Sequence, residues 1–413
     1  MEKFSLPQNW QWARLGDLLS TIKNGIVGEQ RFDGIGFKVA RIETISSGAV
    51  DQERIGWSDL AVEKFEYYKL KCGDILFSHI NSVEKLGNCA IYQGVPENLY
   101  HGMNLLLIRV NENLLVPHFL LYWLKSNYCK AYYTKNARRA IGQASLNQKD
   151  IREISVPVPP LSEQKRISED VRGMTQESER AQTACEEQLD AINALPAAYL
   201  DQVFESEEAE KWERKRLGEI SCSESGIWGE EPDNSSEPHF ILRSNNIKDG
   251  EIFYDEVAIR KVESRHLSKK SLKTGDILVA TSSGSKNLVG KSAIFIPPDD
   301  RIYLFSNFTM RLRAITGLVD SFYLYFYLQS PRAKRVLQLV QDTTTGLRNL
   351  NRREFLNQLI PLPPSLEEQQ LIVLNHQAKL GEIEKLKITI QKQMETVSYL
   401  PQVILRNAFR ENF

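Results

Sequence analysis

The sequence lacks most of what marks an enzyme or a secreted protein. Its five cysteines, Cys72, Cys89, Cys129, Cys185 and Cys222, are scattered and form no Cys-x-x-Cys pair. An odd, dispersed set fits a reducing compartment and argues against a disulfide framework or a zinc site. The six histidines show no ligand spacing. Met1-Glu2-Lys3-Phe4-Ser5-Leu6-Pro7 is no signal segment, and no apolar run approaches membrane-spanning length. A cytoplasmic protein is expected. Excess charge is missing too, with a formal net charge of −1 over 413 residues. Any nucleic-acid binding must therefore come from local patches rather than bulk charge.

Catalytic signatures are equally scarce. An adenine methyltransferase would carry an Asn/Asp-Pro-Pro-aromatic tetrapeptide and a glycine-rich cofactor loop. Here Pro159-Pro160 is followed by Leu161, Pro297-Pro298 by Asp299 and Pro363-Pro364 by Ser365. Gly284-Ser285-Lys286-Asn287-Leu288-Val289-Gly290-Lys291-Ser292 imitates a phosphate-binding loop. Five residues separate its glycines where the motif has four, and Ala293-Ile294-Phe295-Ile296-Pro297 continues as a strand rather than a helix. There is no nucleophile elbow and no metalloprotease motif. The residues describe a scaffold or binding protein.

What the sequence does have is a repeat. Trp10-Gln11-Trp12-Ala13-Arg14-Leu15-Gly16-Asp17-Leu18 returns as Trp212-Glu213-Arg214-Lys215-Arg216-Leu217-Gly218-Glu219-Ile220. Leu70-Lys71-Cys72-Gly73-Asp74-Ile75-Leu76 returns as Leu272-Lys273-Thr274-Gly275-Asp276-Ile277-Leu278. Gly142 to Asn147 returns as Gly346 to Asn351, Glu163-Gln164 as Glu368-Gln369, and Leu195-Pro196 as Leu400-Pro401. The offset drifts only from 202 to 205 residues, and the landmarks never change order. The chain is built twice.

Each half opens with a mixed globular portion, residues 1–156 and 206–360. Gly36 to Ile42 and Asp276 to Ala280 read as strands bounded by turns. Pro117 to Ser126 and Phe322 to Ser330 read as buried helices whose aromatics belong to the core. A proline step closes each portion, Val156-Pro157-Val158-Pro159-Pro160 and Ile360-Pro361-Leu362-Pro363-Pro364. Proline cannot donate to a ladder, so these steps are expected to stop the preceding strand. A long charged helix follows each, within residues 157–205 and 361–413. Ser162 and Ser365 are the expected N-caps, with glutamate in the first turn. Ser365 is an extra residue and is expected to shift the second helix start by one.

In the second helix Ile383, Leu386, Ile390, Val397 and Leu400 recur at coiled-coil spacing. Their counterparts are Ser178, Ala181, Cys185, Ile192 and Leu195. Each helix of some 40 residues would span about 60 Å. Neither stripe can be buried alone, so an antiparallel pairing with a globular domain at each end is expected. Pro196 and Pro401 are expected to kink or end the helices.

Polar loops follow the Gly-Asp strand in both halves, Ser78 to Lys85 and Ala280 to Asn287, at matching places but with different residues. An equal frame with unequal loops suits two domains that read different targets. Side chains able to reach base edges or phosphates are Ser78, His79, Asn81 and Lys85 in the first loop. Those of the second loop are Ser282, Ser283, Lys286 and Asn287. Further basic or amide positions are Lys38, Arg41, Arg138, Arg139, Arg243, Asn245, Asn246 and Arg348.

These features together resemble the specificity subunit of a type I restriction–modification system. The paired domain starts, the paired Leu-Lys-x-Gly-Asp-Ile-Leu, the Gly142 and Gly346 segments and the Pro-Pro steps with Glu-Gln carry the likeness across the chain. The resemblance implies an α+β fold with two pseudo-symmetric α/β target recognition domains joined by two long antiparallel helices as a coiled coil. It implies a non-catalytic subunit in which each domain reads one half of a bipartite, asymmetric DNA target. The helices would set the distance between the half-sites. Two modification subunits would methylate adenine with S-adenosylmethionine, and restriction motor/nuclease subunits would use ATP and Mg²⁺. No cofactor or metal is expected on this chain, and no membrane partner. The alternative is a coiled-coil interaction scaffold that binds no DNA.

Overall fold

The computed structural model describes residues 5–28, 31, 34–59, 66–232, 238–283, 289–339, 341–344 and 347–409. The side chains of residues 283, 338, 341–344, 347 and 348 are outside that description. The chain divides into two compact units. Unit 1 comprises residues 1–186 and 392–413, and unit 2 comprises residues 187–391.

Unit 1 is built on a four-stranded antiparallel sheet. Its strands lie side by side in the order Leu19–Asn24, Leu105–Val110, Ile75–Ser78 and Cys89–Ile91. The central two are buried almost throughout, which is why they read as unbroken apolar runs. A second sheet holds Gly56–Ser58, Phe37–Ala40 and Leu99–His101, the last two parallel. A third joins the hairpin Arg138–Ala140/Gln143–Ser145 to Ile80–Asn81. A fourth pairs Gln11–Arg14 with Ser155–Val158, tying the start of the domain to its end.

Unit 2 repeats every layer. Ser221–Ser225, Thr309–Ala314, Ile277–Ala280 and Ser292–Ile294 form its main sheet. Ala258–Lys261, Pro238–Leu242 and Tyr303–Phe305 form the second. Gln341–Thr344, Leu347–Leu350 and Ser282–Ser283 form the third, and Glu213–Arg216 pairs with Leu359–Leu362 in the fourth. Ser292–Ile294 is a strand, as the failed phosphate-loop reading requires.

The repeated Leu-Lys-x-Gly-Asp motif is explained by one turn. Gly73 and Gly275 take φ of 92° and 87°, where a side chain would be strained. The following aspartates close the turn, accepting from the backbone N–H groups of Lys71 and Lys273 at 2.7 Å. Each aspartate is almost wholly buried and is met by a forked arginine. Arg109 donates to both Asp74 oxygens at 2.6 Å, and Arg313 to both Asp276 oxygens at 2.7 Å. The side-chain hydrogen bonds to Asp74 and Asp276 raise the pKa of Arg109 and Arg313 above the usual arginine value. Removing one partner of such a buried pair costs about 3–5 kcal/mol, because the other charge is stranded.

The Glu-Gln motif is a latch. The Gln164 amide is buried; it accepts from Val116 N–H at 2.8 Å and donates to the Leu114 and Pro159 carbonyls. Gln369 does the same for Asp320 and Leu318. Each glutamine fastens the start of a long helix to the loop before a buried helix, Pro117–Lys125 or Ser321–Gln329.

The long helices run Leu161–Phe204 and Leu366–Ala408. Two expectations need correction here, the Ser162 cap and the helix-ending prolines. The strands stop at Val158 and Leu362, just before Pro159-Pro160 and Pro363-Pro364, as expected. Pro157 and Pro361 sit inside them, paired with Trp12 and Arg214, at the edge of two-stranded sheets where proline is tolerated. Ser365 caps the second helix, accepting from Glu368 N–H at 3.2 Å. Ser162 does not cap the first, which already begins at Leu161 with the Pro160 carbonyl accepting from Glu163 and Gln164. Leu161 follows Pro160 directly whereas Leu366 stands one residue beyond Pro364, so Ser365 moves the second helix start by one, as expected. Pro196 and Pro401 lie within the helices and end neither.

Each unit closes on the opening stretch of one long helix and the closing stretch of the other, the exchange an antiparallel pair makes. Ile167, Val171, Ile404 and Phe409 belong to the core of unit 1. Phe409 meets Phe119 and Trp123 with ring centroids 5.3 and 5.1 Å apart. Leu200, Phe204 and Val373 belong to the core of unit 2, where Phe204 meets Tyr323 and Tyr327 at 5.6 and 5.1 Å. Of the proposed seam residues, Cys185, Ile383 and Ile390 are buried, while Ala181, Ile192 and Val397 are half-buried. Leu195, Leu386 and Leu400 are exposed, which corrects the seam. The buried stripe keeps one position per heptad, His376, Ile383, Ile390, half-buried Val397 and Ile404, so the intervening leucines turn outward.

Candidate nucleic-acid interface

The polar loop after the Gly-Asp strand does not stand alone. In unit 1 the His79 carbonyl accepts from Leu146 N–H at 2.9 Å, and Ile80–Asn81 pairs with the hairpin strand Gln143–Ser145. In unit 2 the Thr281 carbonyl accepts from Leu350 N–H at 2.8 Å, and Ser282–Ser283 pairs with Leu347–Leu350. Two segments that the sequence offered separately, the loop and the Gly142 or Gly346 repeat, are therefore one surface in each unit.

In unit 1 that surface carries a cleft of about 480 Å³ lined by Asn24, His79, Ile80, Arg138, Ser145, Leu146, Asn147, Gln148 and Lys149. Asn147 caps the helix Gln148–Arg152 through a reciprocal box with Asp150, which aims Gln148 and Lys149 at the cleft mouth. Gln148 donates to Asn24 at 2.7 Å. Arg138 and Arg139 are exposed on the hairpin, and Ile141 at its tip is fully exposed. His79 is buried beneath the cleft. Burial pushes its pKa below the ordinary histidine value, with the Asn104 backbone working the other way, so the ring is neutral at physiological pH.

The proposed contact residues divide clearly. Arg138 and His79 come together in the cleft, with half-buried Asn81 beside them and exposed Lys85 in the following turn. Ser78 is corrected to a framework residue, since it is fully buried and accepts from the Asn81 amide at 3.1 Å. Lys38 lies mid-strand in the second sheet, half-buried, and Arg41 at the end of that strand pairs with Glu43 at 3.3 Å. In unit 2 Asn246 is likewise corrected. It is buried, accepts from Arg243 N–H at 2.9 Å and donates to the Phe253 carbonyl at 2.9 Å. Arg243 is half-buried and gives Nη2 to the Glu256 carbonyl at 2.7 Å, while Asn245 is exposed. Ser282 faces Asn349 across the ladder. Lys286 and Asn287 lie outside the described residues, as do the side chains of Ser283 and Arg348.

Sequence reasoning missed Asn24, Gln148 and Lys149, and in unit 2 Trp228, Asn307 and Phe308. The last three line a cleft of about 360 Å³ with Arg243, Ser244, Asn245 and Ser306. Gln148 and Lys149 adjoin a repeated motif, which was the available signal. Trp228 and Phe308 fall where the two halves differ, so a search for matches passes over them. Among the described residues no cluster of His, Cys, Asp and Glu could hold a metal, and no helix is long and apolar enough to cross a membrane.

Two equivalent modules, each with a cleft and a hairpin on a shared frame, define a duplicated recognition scaffold. The family model described as type I restriction modification DNA specificity domain matches residues 7–183 and again 209–396, and the chain belongs to that family. Among curated relatives, the putative type I restriction enzyme MjaX specificity subunit of Methanocaldococcus jannaschii is 29% identical, over 94% of this chain and 91% of its own. The type I restriction enzyme EcoKI specificity subunit of Escherichia coli is 22% identical, over 99% of this chain and 90% of its own. The fold is shared with the HsdS subunit from Thermoanaerobacter tengcongensis, at a TM-score of 0.61 and 20% identity over 99% of both chains. It is shared also with a chain from a study of assembly and conformational transition of the type I R-M system, at 0.68 and 21% over 100% of both.

Proposed function

We propose that each unit of this specificity protein reads one half of a bipartite, asymmetric DNA target, and that the chain itself performs no chemistry. The observation that carries this reading is the pairing of an identical frame with unlike polar surfaces in the two units. A protein that needed only to be held would have no reason to vary the loop, hairpin and cleft while keeping the Asp–Arg pair, the glutamine latch and all four sheets. Arg138, Arg139 and Lys149 supply phosphate contacts that fix register, and the clefts supply contacts to base edges. The long helices act as the spacer between half-sites. Two modification subunits would bring S-adenosylmethionine and methylate adenine. Restriction subunits would bring ATP and Mg²⁺, and this chain would hold no cofactor. The complex would work in the cytoplasm.

The test is reconstitution with modification subunits on duplexes of varied sequence. Salt-sensitive, sequence-selective binding and methylation only in the presence of both proteins are expected. Methyl transfer by this chain alone, or an assembly indifferent to DNA, would sink the reading. Exchanging residues 206–360 for the equivalent segment of a relative should change one half of the target and leave the other.

A further inference from the structure

The two units carry a second pair of equivalent positions, at the end of the parallel strands of the second sheet. In unit 1 the frame is fixed by Arg41 N–H to Thr44 Oγ1 at 2.9 Å, Ile26 N–H to the His101 carbonyl at 2.9 Å and Gly102 N–H to the Ala40 carbonyl at 2.9 Å. In unit 2 it is fixed by Arg243 N–H to Asn246 Oδ1 at 2.9 Å, Ile227 N–H to the Phe305 carbonyl at 2.8 Å and Ser306 N–H to the Leu242 carbonyl at 2.8 Å. A Cβ at Gly25 would collide with the Gly102 carbonyl, and one at Gly226 with the Ser306 carbonyl, so both glycines are demanded by the same close approach. Everything that holds this corner is therefore kept.

What projects from it is not kept. Trp228, Asn245, Asn307 and Phe308 stand in unit 2 where unit 1 has Val27, Glu43, Met103 and Asn104. All eight are exposed. Trp228 and Phe308 expose 37% and 53% of their surface on the walls of the 360 Å³ cleft, an apolar wall beside the two amides. Arg260 backs the Trp228 ring, with its guanidinium carbon 4.5 Å from the ring centroid. The cleft also touches the loop surface, since Thr281 N–H donates to the Phe308 carbonyl at 2.9 Å.

We propose that this cleft is a base-reading site of unit 2 and that it selects an A·T pair. The proposal rests on the DNA-reading function argued above. A side-chain amide matches the adenine edge in the major groove, giving to N7 and accepting from the N6 amino group, and an apolar wall suits the thymine methyl. Asn245 and Asn307 supply two such amides on the rim, and Trp228 and Phe308 supply the wall. In place of Asn245 unit 1 has Glu43, an acceptor already paired with Arg41, which does not present the adenine pattern, and its one amide at this corner, Asn104, stands where unit 2 has Phe308. Arg243, with Nη2 spent on the Glu256 carbonyl, positions the turn that carries Asn245.

The experiment uses the full chain assembled with modification subunits and a duplex library randomised in both half-sites. N245A and N307A remove exposed amides, so both variants are expected to fold. Discrimination at one or two A·T positions of the second half-site should fall roughly tenfold to a hundredfold, with the first half-site unchanged. The graft W228V/N245E/N307M/F308N should replace that preference by another and again spare the first half-site. A second half-site profile unaltered by N245A, N307A and the graft overturns the proposal, as does an equal loss in both halves. A wild-type assembly that discriminates no sequence fails the underlying DNA-reading function instead.

Discussion

Units 1 and 2 agree where the fold needs particular chemistry and differ where it does not. Both close the strand-feeding turn with an aspartate gripped by an arginine, Asp74 by Arg109 and Asp276 by Arg313. Both fasten the long helix with a buried glutamine. Both seat a phenylalanine from the end of a long helix in an aromatic cage. Yet the cage is Phe119 and Trp123 in one and Tyr323 and Tyr327 in the other, and Trp123 Nε1 and Tyr323 Oη donate to the carbonyls of Ser155 and Pro361. Packing tolerates a change of ring so long as a donor reaches the strand. The turn tolerates no such change, because its aspartate answers a backbone N–H and a guanidinium at once. The lesson is that invariance within the repeat follows the number of polar partners that a residue must satisfy.

The aromatic cages give the strongest way to break the comparison. Phe409→Ala should cost about 4 kcal/mol and loosen unit 1 alone, and Phe204→Ala should cost about the same and loosen unit 2 alone. Hydrogen exchange resolved by unit checks this, and equal loss of protection in both units would contradict independent cores. The ion pairs come next. Asp74→Ala and Asp276→Ala should each cost about 3 kcal/mol, since a partly buried guanidinium is left without its partner. Calorimetry on Asp276→Ala should show the transition of unit 2 displaced and that of unit 1 in place.

A third prediction sharpens the difference. Unit 1 has His101 where unit 2 has Phe305. Burial lowers the His101 pKa to about 4, below the 6.5 of a free histidine, so the unfolded chain takes the proton first. Unit 1 therefore keeps its full stability above pH 6.5 and loses it as pH falls toward 4. His101→Phe should flatten that acid limb in unit 1. Unit 2 should keep an acid limb of its own through buried His376, likewise lowered to about 4 by burial, and urea titrations at several pH values would show both. The smallest effect is expected at the outward leucines of the long helices. Leu195→Gln and Leu386→Gln should stay within about 0.5 kcal/mol by thermal melting, whereas Ile390→Gln, on the buried stripe, should not.

Much of the fold was legible because the sequence states it twice. Gly-Asp, Glu-Gln and the proline steps each mark a place where backbone and side chain are locked together, and such places keep their spacing. The seam was only half legible. Heptad spacing locates the stripe, but Leu195 and Leu386 are as apolar as the buried positions and stand exposed, and composition does not distinguish the two. The candidate interface was legible in its loops and not in its clefts. His79 and Arg138, or Asn245 and Asn307, are brought together by strand pairing across 59 or more residues. Ser78 and Asn246 were misread because a polar side chain that folds back on its own turn looks, in sequence, like one that reaches outward.

The division of the chain has a consequence for how it is made. Unit 2 is one uninterrupted run, residues 187–391, whereas unit 1 needs residues 392 onward as well. On the ribosome the first domain emerges early, yet the slot between Phe119 and Trp123 stays empty until Phe409 leaves the exit tunnel. Unit 2, translated later, has all its parts sooner. The half whose synthesis begins first is thus the half whose core is completed last, and its apolar slot stays open in the interval.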